Sequence, residues 1–472
     1  MVARGAASWN ADAGRRSSRP SRRGTITDCS GSASVTNRRR DVRDVPFPAS
    51  RARGHVQPSV VRPLKLLAVL LVVLPVACSD GTGPNQPAPL LTALPRALTG
   101  TEVVIADANN RFAFRLLRQV VANDSSANVL LSPLSATQAL GMALNGARGS
   151  TYDSVRIALG LPDLPLGTLN DGAAGLSDLL LGLDPQTSIG IANAAFVHNA
   201  LAVKASFTDS LRRAYRAQTM SIDFNAPGAV GTINEWAALR TNQRVPRILN
   251  AIAAGEVAFL VNATWFKGNW RSRFDPALTA PGPFRGVDGV DRQAQMMNRK
   301  LNSDTLTRFA WAPEYDGVEL PYGNGAYVLS ILMPRTLPLG AFIRSLDADA
   351  WNAAMARMAR VAYDQLVMPK WELAYDRTMN DDLRALGMGI AFTGFADFSG
   401  ITDLPLSISR VIQKCYIRVD ETGTEAAAAT AVGLRVESLS PSFELNRPFV
   451  YAIRERFRGT ILFLGVVAKL GG

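Results

Sequence analysis

The alternation of hydrophobic and polar residues predicts both helices and strands along most of the chain. Apolar residues recur at helical spacing from Asp107 to Val121, which predicts an amphipathic helix. The apolar run Val129–Leu131 predicts a short buried strand, and Pro133 suits the first turn of a helix. Ile461–Val467 predicts a buried strand near the C-terminus. No linker, composition shift or internal repeat divides residues 101–472, so we expect one large domain.

One stretch, Glu421–Ser438, follows a different pattern. It is rich in alanine, which favours helix, yet Gly423 and Gly433 interrupt it and no apolar face recurs at helical spacing. From Thr424 onward, alternate positions separate by polarity. The uncharged set consists of Thr424, Ala426, Ala428, Thr430, Val432, Leu434 and Val436. The other set contains every charge: Glu425, Arg435 and Glu437. This pattern predicts a loop that can become a strand with one buried face. A mobile Ala-rich surface loop is the alternative.

Arginine sets the N-terminus apart from the rest of the chain. Residues 1–59 hold twelve Arg, no Lys and four Asp, and we expect them to be disordered or to precede a true start near Val60. Residues 1–77 carry +10 of the formal net charge of +12. Because the excess charge lies there, the high pI does not indicate nucleic-acid binding by the folded domain. A functional basic arm is the alternative.

Residues 60–77 have the layout of a secretory signal peptide. Two basic residues precede an apolar run from Leu66 to Val76, which is short for a bilayer span. The run leads into LPVAC, so Cys78 resembles the lipidated cysteine of a bacterial lipoprotein; an ordinary signal peptide is the alternative. The Pro- and Gly-containing residues 78–100 predict a flexible tether. We therefore expect a protein outside the cytoplasm, secreted to the periplasm or exterior, or held on the membrane only by a lipid on Cys78.

Motifs for the common hydrolytic chemistries are absent from the sequence. No Lys lies three places after a Ser, and no Gly-x-Ser-x-Gly elbow occurs. The only histidines are His55, in the Arg-rich N-terminus, and His198, so no Cys/His set has metal-ligand spacing. Cys415 is the only thiol after Cys78, so intramolecular disulfides do not hold the fold together. We expect a protein that is not an enzyme and needs no metal or cofactor.

Three segments of the predicted domain resemble the serpins, a family of serine protease inhibitors. Asn128–Thr151, NVLLSPLSATQALGMALNGARGST, is similar to the segment beneath the main serpin sheet. Val257–Trp270, VAFLVNATWFKGNW, is the most specific match. ETGTEAAAAT, from Glu421, followed by FELNRPF at residues 443–449, resembles the hinge and reactive-centre loop. The resemblance covers Asn109–Leu470.

The resemblance implies a fold and assigns roles to individual residues. The fold is α+β, with mixed β-sheets and about eight or nine helices, and its large central sheet can accept the reactive-centre loop, residues 421–443, as an extra strand. The hinge consists of Glu421, Gly423, Thr424, Glu425, Ala426, Ala427, Ala428, Ala429 and Thr430. The shutter, beneath the opening sheet, consists of Ser132, Ser135, Asn262 and Gln413. The breach, where insertion begins, consists of Trp270, Thr279, Lys370 and Glu421.

Two of these positions carry specific expectations. By analogy, Lys370 meets Glu421 as an ion pair at the top of the sheet, where we expect the modest strength of a surface pair. Gln413 stands where many serpins have a histidine. A glutamine can hydrogen-bond Asn262 without any change of charge, so this chain should lack pH-sensitive insertion at that position.

The resemblance also implies a suicide-substrate mechanism. A serine protease cleaves the loop and stays attached to the monomeric inhibitor as a covalent acyl complex while the loop inserts. The loop length implies a scissile bond between Glu437 and Ser438, and hence a Glu-preferring protease. Val436 or Leu434 would instead imply elastase-like or chymotrypsin-like enzymes, and Arg435 a trypsin-like one. The alternative is a non-inhibitory serpin-fold binding protein that is cleaved as a plain substrate.

Overall fold

The computed structural model describes residues 88–123, 128–301, 304–361, 363–424 and 441–471. Within these ranges the chain forms nine α-helices, two short 3-10 turns and one π-helical turn. The α-helices are α1 (Gly100–Asn123), α2 (Pro133–Gly146), α3 (Gly149–Leu159), α4 (Leu166–Gly182), α5 (Ala205–Tyr215), α6 (Ala229–Arg240), α7 (Leu339–Ser345), α8 (Ala348–Ala356) and α9 (Asn380–Leu383). The 3-10 turns are Pro276–Leu278 and Gly389–Phe392, and the π-helical turn is Arg384–Met388.

The same residues contain sixteen strands. They are β1 (Val129–Leu131), β2 (Ser188–His198), β3 (Gln218–Ile222), β4 (Ala258–Asn269), β5 (Ala280–Arg285), β6 (Asp291–Lys300), β7 (Arg308–Trp311), β8 (Tyr315–Pro321), β9 (Tyr327–Pro334), β10 (Gln365–Pro369), β11 (Trp371–Thr378), β12 (Arg410–Val419), β13 (Gly423–Thr424), β14 (Ser442–Glu444), β15 (Phe449–Glu455) and β16 (Ile461–Val467). The strands predicted at Val129–Leu131 and Ile461–Val467 are present.

The strands form three sheets, two with both parallel and antiparallel pairs and one, the second described below, antiparallel throughout. The central sheet has the order β11-β12-β13-β4-β2-β3, and β12 also pairs directly with β4. A second six-stranded sheet has the order β1-β16-β15-β9-β8-β7, and a four-stranded sheet has the order β14-β10-β6-β5. Helices pack around these sheets, so the predicted α+β class is confirmed.

Helix α2 lies between the central sheet and β16. Thirteen of its fourteen residues are buried, and it contacts β4 and β2 on one side and β16 on the other. A helix that is apolar nearly all round is stable only in such a position. Its start at Pro133 fits the fixed backbone angle of proline in a first turn. Consequently Ser132 and Ser135, at its N-terminus, lie beneath the central sheet.

Helix α1 begins at Gly100, seven residues before the predicted start at Asp107. A capping box explains the extra turns. The Thr99 hydroxyl accepts a hydrogen bond from the Glu102 N–H (3.2 Å), and the Glu102 carboxylate accepts one from the Thr99 N–H (2.8 Å). Apolar periodicity alone placed the start too late because these polar residues stabilise the first turn.

The prediction of a flexible tether over 78–100 does not hold for residues 88–99. The side chains of Leu91, Leu94 and Leu98 pack against a buried apolar cluster of the domain, and the Leu91 N–H donates to the Asn324 carbonyl (2.8 Å). Proline and glycine content suggested a linker, but these leucines cover apolar surface. Residues 1–87, with the predicted prefix, signal peptide and start of the tether, lie outside the described ranges. No helix in the described ranges is long and apolar enough to cross a membrane.

Candidate functional site

In the central sheet, β4 and β12 are direct neighbours along most of their shared length, and a short strand lies between them at one end. β4 and β12 run parallel and pair over seven consecutive residues. Beyond this ladder the two-residue β13 lies between them, where Thr424 pairs with Val419 of β12 and with Gly268 of β4. β13 is antiparallel to both neighbours. A strand that continued from β13 would therefore separate two parallel strands and run antiparallel to each.

Gly423 and Thr424 suit this position for different reasons. A Cβ atom on Gly423 would lie 2.0 Å from the backbone oxygen of Gly268, so the close approach requires glycine. The Thr424 side chain is fully buried, and its hydroxyl lies 2.7 Å from the Tyr322 hydroxyl. Thr424 is the first member of the uncharged alternating set. The set therefore begins on the core face of the sheet.

Glu421 fixes the start of the hinge at the end of the central sheet where β13 lies. Its carboxylate accepts a hydrogen bond from the Thr279 hydroxyl (2.7 Å) and lies 2.9 to 3.0 Å from the Lys370 ammonium. Its carbonyl oxygen accepts from the Phe274 N–H (2.9 Å). Thr279 and Lys370, both assigned to the breach by resemblance, thus each contact Glu421, the third described breach residue of this group.

The Glu421–Lys370 pair is more buried than the expected surface pair. The Glu421 side chain is 5% exposed and the Lys370 side chain 26%. Burial by itself would raise the pKa of Glu421, but the hydrogen bonds from Thr279 and Lys370 outweigh it and hold the pKa below its ordinary value. A buried carboxylate that keeps its charge depends on its partners. Removing either partner should therefore cost more than breaking a surface pair.

Trp270 holds the backbone on both sides of Glu421. Its indole Nε1 donates to the Asp420 carbonyl and its backbone N–H to the Thr422 carbonyl, both at 2.8 Å. The indole ring is buried and stacks on Tyr322, with ring centroids 4.5 Å apart and an interplanar angle of 15°. Trp270 therefore sets the path of the chain from β12 into β13.

On the core side of the β4–β12 ladder, buried polar side chains form two groups. The first group centres on Asn262. Its Nδ2 donates to the Asn193 side-chain oxygen (2.6 Å), and its Oδ1 accepts from the hydroxyls of Thr264 (2.9 Å) and Ser135. Asn193 donates in turn to the Gln138 side-chain oxygen (2.7 Å). These contacts link β4 to β2 and to α2 beneath the sheet.

Gln413 belongs to the second group. Its Oε1 accepts from the Ser132 N–H (3.1 Å), and its Nε2 donates to the Ser132 carbonyl (2.9 Å). The Ser132 hydroxyl donates to the Leu462 carbonyl (2.8 Å). The predicted Gln413–Asn262 hydrogen bond is therefore wrong, although the two residues pair across β12 and β4. The long glutamine side chain reaches the start of α2 instead and ties β12 to it.

Replacing this glutamine tests how the second group holds β12. We expect Gln413→His to lower the unfolding free energy by about 1 to 3 kcal/mol, because one imidazole cannot satisfy both backbone groups of Ser132. Burial favours the neutral imidazole, so the folded-state pKa should lie below its unfolded value of about 6.5, and stability should fall further as the pH drops through that value. Urea unfolding at about pH 8 and pH 5.5 measures both effects.

Gln413→Met is the matched control for the histidine variant. Methionine removes the same hydrogen bonds but cannot titrate, so its loss of stability should not change between the two pH values. An equal loss for the histidine and methionine variants at both pH values would contradict the expected titration.

Sequence reasoning missed Asn193, Gln138, Thr264 and Tyr322 as members of the site. The sequence could have indicated Asn193 and Thr264, because each is a polar residue within an apolar strand. In the structure Asn193 lies directly opposite Asn262. No sequence pattern indicated Gln138 or Tyr322. They enter the site from α2 and from the end of β8, and only the packing of those elements brings them there.

Several predicted site residues lie outside the described ranges. They are Glu425, Ala426, Ala427, Ala428, Ala429 and Thr430 of the hinge, the bond Glu437–Ser438 with its alternatives Leu434, Arg435 and Val436, and Cys78. Cys415 is described; it is buried in β12 as a free thiol. In the described part of the chain, no group of three or more His, Cys, Asp or Glu side chains could hold a metal ion.

Comparisons with known proteins agree with this geometry. The family model described as "Serpin (serine protease inhibitor)" matches residues 107–470. Iripin-2 of Ixodes ricinus is 30% identical over 379 residues, which cover 78% of this chain and 94% of that protein. Serine protease inhibitor A3K of Mus musculus is 30% identical over 378 residues, covering 77% and 88%. A structure of thyroxine-binding globulin complexed with thyroxine has a TM-score of 0.72 at 25% identity and covers 78% of this chain and 100% of that one.

The three-sheet fold, with β13 between β4 and β12 at one end of the central sheet, defines a class of protein. In this class the central sheet can accept a further strand. The matched family model spans the described domain from within α1 to beyond the end of β16. The chain belongs to the serpin family.

Proposed function

We propose that this chain traps a serine protease by the serpin suicide-substrate mechanism. The protease cleaves the reactive-centre loop, residues 421–443, and the hinge side of the cut loop enters the central sheet with the protease still attached. The observation that carries the proposal is β13, which already lies between β4 and β12 and is antiparallel to both. A continued strand would thus enter the sheet in the correct direction once the β4–β12 ladder opens.

Insertion along this path is favourable for the backbone. The single parallel ladder between β4 and β12 is exchanged for two antiparallel ladders to the new strand. Antiparallel pairing is slightly more stable per residue than parallel pairing, and the N–H and C=O groups of an inserted strand have ladder partners on both sides. The inserted state should therefore be the more stable one, which supplies the driving force for moving an attached protease.

Continuing the β13 register supports the hinge assignment. Thr424 pairs with Gly268, so each two-residue step along an antiparallel strand moves its β4 partner back by two. Thr430 would then lie between Asn262 and Gln413, which already pair across the ladder. Its hydroxyl would enter the buried polar groups rather than an apolar core. The intervening alanines are small enough to enter a crowded sheet.

The same register gives Glu425 a complementary environment on the outer face. It would lie between Lys267 of β4 and Arg418 of β12, both of which carry exposed or half-exposed cationic groups. Solvent-facing pairs of this kind contribute less than about 1 kcal/mol each. They would nevertheless favour the correct register over one shifted by a residue, which would bring Glu425 to the core face.

The residues at the cut decide the target protease. In the proposed step the protease serine hydroxyl attacks the Glu437 carbonyl, the Glu437–Ser438 peptide bond breaks, and the Ser438 amine leaves with a proton. An ester to Glu437 remains. The target class is then a Glu-preferring serine protease, and cleavage after Val436 would make it elastase-like.

Glu437→Arg is the sharpest test of that bond. We expect the variant to lose trapping of a Glu-specific protease by at least about a hundredfold and to gain trapping of trypsin, because the primary pocket must match the residue before the bond. Second-order inhibition rates against both enzymes measure the change. Ser438→Ala, on the other side of the bond, is the control and should keep the original preference. If Glu437→Arg leaves both protease preferences unchanged, the scissile bond follows a neighbouring residue and not Glu437.

The setting of this activity is also part of the proposal. The apolar run before Cys78 supports export from a bacterial cell, with a lipid on Cys78 as the only membrane attachment. The inhibitor would then act as a monomer outside the cytoplasm. Mass spectrometry of the mature N-terminus would reveal a lipidated Cys78 or an unmodified one.

The decisive experiment for the function mixes the chain with Glu-specific, elastase-like, chymotrypsin-like and trypsin-like proteases. A covalent band that survives a denaturing gel, together with a large rise in the melting temperature of the cut chain, is the expected result. Sequencing the released C-terminal peptide identifies the bond. Cleavage without such a band from any of the four enzymes would contradict trapping.

A second candidate is a serpin-fold binding protein that does not trap. The similarity to thyroxine-binding globulin, whose structure is a complex with thyroxine, favours this candidate. Loop cleavage would then yield two fragments and no covalent band. The gel that tests trapping therefore separates the two functions.

A further inference from the structure

An ion pair crosses the β4–β12 ladder at the end opposite β13. The Arg410 guanidinium, at the start of β12, lies 2.5 Å from the carboxylate of Glu256, two residues before β4. The same guanidinium donates to the Ala251 carbonyl (2.7 Å) and lies over the Phe259 ring, 5.0 Å from its centroid. Phe259 is the β4 residue that pairs with Arg410. Because the Arg410–Glu256 pair joins β12 to the chain entering β4, we name it the latch.

The contacts around the latch also join β12 to the chain that enters β4. Directly before Arg410, the Ser409 N–H donates to the Ala258 carbonyl (3.2 Å), and the Ser409 hydroxyl accepts from the Val257 N–H (3.1 Å). The Glu256 carboxylate also accepts from the Ala253 N–H (2.6 Å), which fixes it on the β4 side. The latch is the charged member of this set. Its two side chains are only 25% and 14% exposed, so solvent ions screen the pair weakly.

An inserted strand reaches the latch only when it enters deeply. Continuing the β13 register places residue 433 between Phe259 and Arg410, three residue pairs beyond Thr430. A strand that stops at Thr430 therefore leaves the latch closed. A strand that continues past residue 433 must move Arg410 away from Phe259 by one strand spacing, about 4.8 Å. An ion pair of 2.5 Å has to open for that step.

We propose that the latch controls the last stage of loop insertion, separately from its start at β13. The inference rests on the proposed function, because the latch opens only if a strand enters the sheet. A closed latch lets the hinge enter as far as Thr430 and holds back residues 433–437, which lead to the acyl ester. Arg410 and Glu256 are thus positioning residues that set how far the attached protease is moved.

The residue that would meet the latch is a glycine. Position 433, which lies outside the described ranges, differs by an even number from positions 425 and 429 and so faces the outer side of the sheet, as Arg410 does. With no side chain there, the Arg410 side chain has room to lie across the inserted strand, so that the pair closes again. A larger residue would stand under the crossing guanidinium. The latch therefore gives a physical reason for the glycine that interrupts the loop.

Two synthetic peptides of different length test the latch in the full-length chain. TEAAAAT, residues 424–430, stops short of the latch, and TEAAAATAVGLRV, residues 424–436, passes it. Each peptide carries a fluorophore at its first residue, and the rise in fluorescence anisotropy gives the rate of uptake. The latch variants are Glu256→Gln and Arg410→Ala. Asp376→Asn is the matched control, because it breaks the Lys414–Asp376 ion pair (2.6 Å), which joins β12 to β11 and does not cross the insertion path.

We expect both latch variants to take up the longer peptide about tenfold faster than wild type and to take up the shorter peptide at the wild-type rate, within about twofold. Asp376→Asn should behave as wild type with both peptides. Equal acceleration of the two peptides would show a general loosening of the sheet and would overturn the latch. An unchanged rate for the longer peptide would overturn it too.

A longer peptide with Gly433→Val gives an independent readout. Wild type should take it up at least about tenfold more slowly than the unmodified peptide, because the valine meets the crossing Arg410 side chain. In Arg410→Ala that side chain is gone, so the two longer peptides should enter at similar rates. A valine penalty of the same size in both proteins would contradict the crossing of Arg410 over residue 433.

Failure of the proposed function has a different signature. If wild type takes up neither peptide and the cleaved chain gains no thermal stability, the sheet does not accept a strand. If wild type takes up both peptides and the latch variants match it with each, only the latch is wrong. Should Arg410→Ala fail to fold, Glu256→Gln still decides, because its amide oxygen can still accept from the Ala253 N–H.

Discussion

Ala428→Glu should convert this chain from an inhibitor into a plain substrate. Continuing the β13 register puts residue 428 on the core face, beside Thr264 and Cys415, where both neighbours are buried. An uncompensated carboxylate there costs several kcal/mol. Each 1.4 kcal/mol slows insertion about tenfold, so insertion should slow by at least about a hundredfold. The acyl ester would then hydrolyse before the protease is trapped.

Ala429→Glu is the matched control for this prediction. The added group is the same, but residue 429 belongs to the alternate set and would lie on the outer face beside Lys414. Ala263, its other neighbour, is buried, but the Lys414 ammonium would supply a counter-charge that position 428 lacks, so trapping should fall much less than in Ala428→Glu. The measurement is the ratio of covalent complex to cleaved inhibitor on a denaturing gel. Equal ratios for the two variants would show that the loop does not insert in this register.

Glu421→Gln should weaken the native state by about 2 kcal/mol or more. Glutamine keeps the shape of the side chain but leaves the Lys370 ammonium without its buried counter-charge. Because these contacts hold the start of the hinge, the variant should also insert its loop more readily before any protease arrives. Denaturant unfolding and the rate of spontaneous loss of inhibitory activity measure the two effects.

A double-mutant cycle with Lys370→Met isolates the pair. If Glu421 and Lys370 act together, the double variant should lose about as much stability as either single variant. The Thr279 hydrogen bond stays available in each protein and serves as a constant background. Strictly additive losses would mean that the two side chains act independently and would contradict the pairing.

The contribution of Glu421 to the free energy of unfolding should also depend on pH. Its pKa lies below the ordinary value of 4.5, so the charged form is favoured in the folded state. The resulting stability is fully present above that value and is lost as the pH falls through the folded pKa. The stability difference between wild type and Glu421→Gln should therefore be constant near neutral pH and shrink below about pH 4.5. A difference that persists unchanged at pH 3 would contradict this account.

The sequence predicted the strand alternation of the loop better than it predicted the side-chain contacts of the site. Alternation along residues 424–436 predicted a strand with an uncharged core face, and Thr424, its one described member, lies on that face. Strand alternation is a local property of the chain, so a local pattern reveals it. The position of Gly423 likewise followed from the resemblance, and the close approach to Gly268 gives its physical reason.

Contacts between distant segments could not be predicted in the same way. Gln413 binds Ser132 rather than Asn262 because side-chain length and the position of α2 decide which backbone groups lie within reach. The burial of Glu421 depends on how the chain from β12 meets the end of β4. Neither arrangement leaves a trace in the spacing of residues along the chain.

The sequence by itself determined the elements with a strong local pattern and the chemistry of the loop. The start of α2 at Pro133, the buried β16 and the alternation of charge from Thr424 each follow from a few adjacent residues. Only the tertiary structure decided that β13 lies between β4 and β12 at one end, that Asn193 and Gln138 complete the polar group under the sheet, and that residues 88–99 pack against the domain. These features join residues tens to hundreds of positions apart, and the packing of whole elements, rather than any local preference, sets which of them meet.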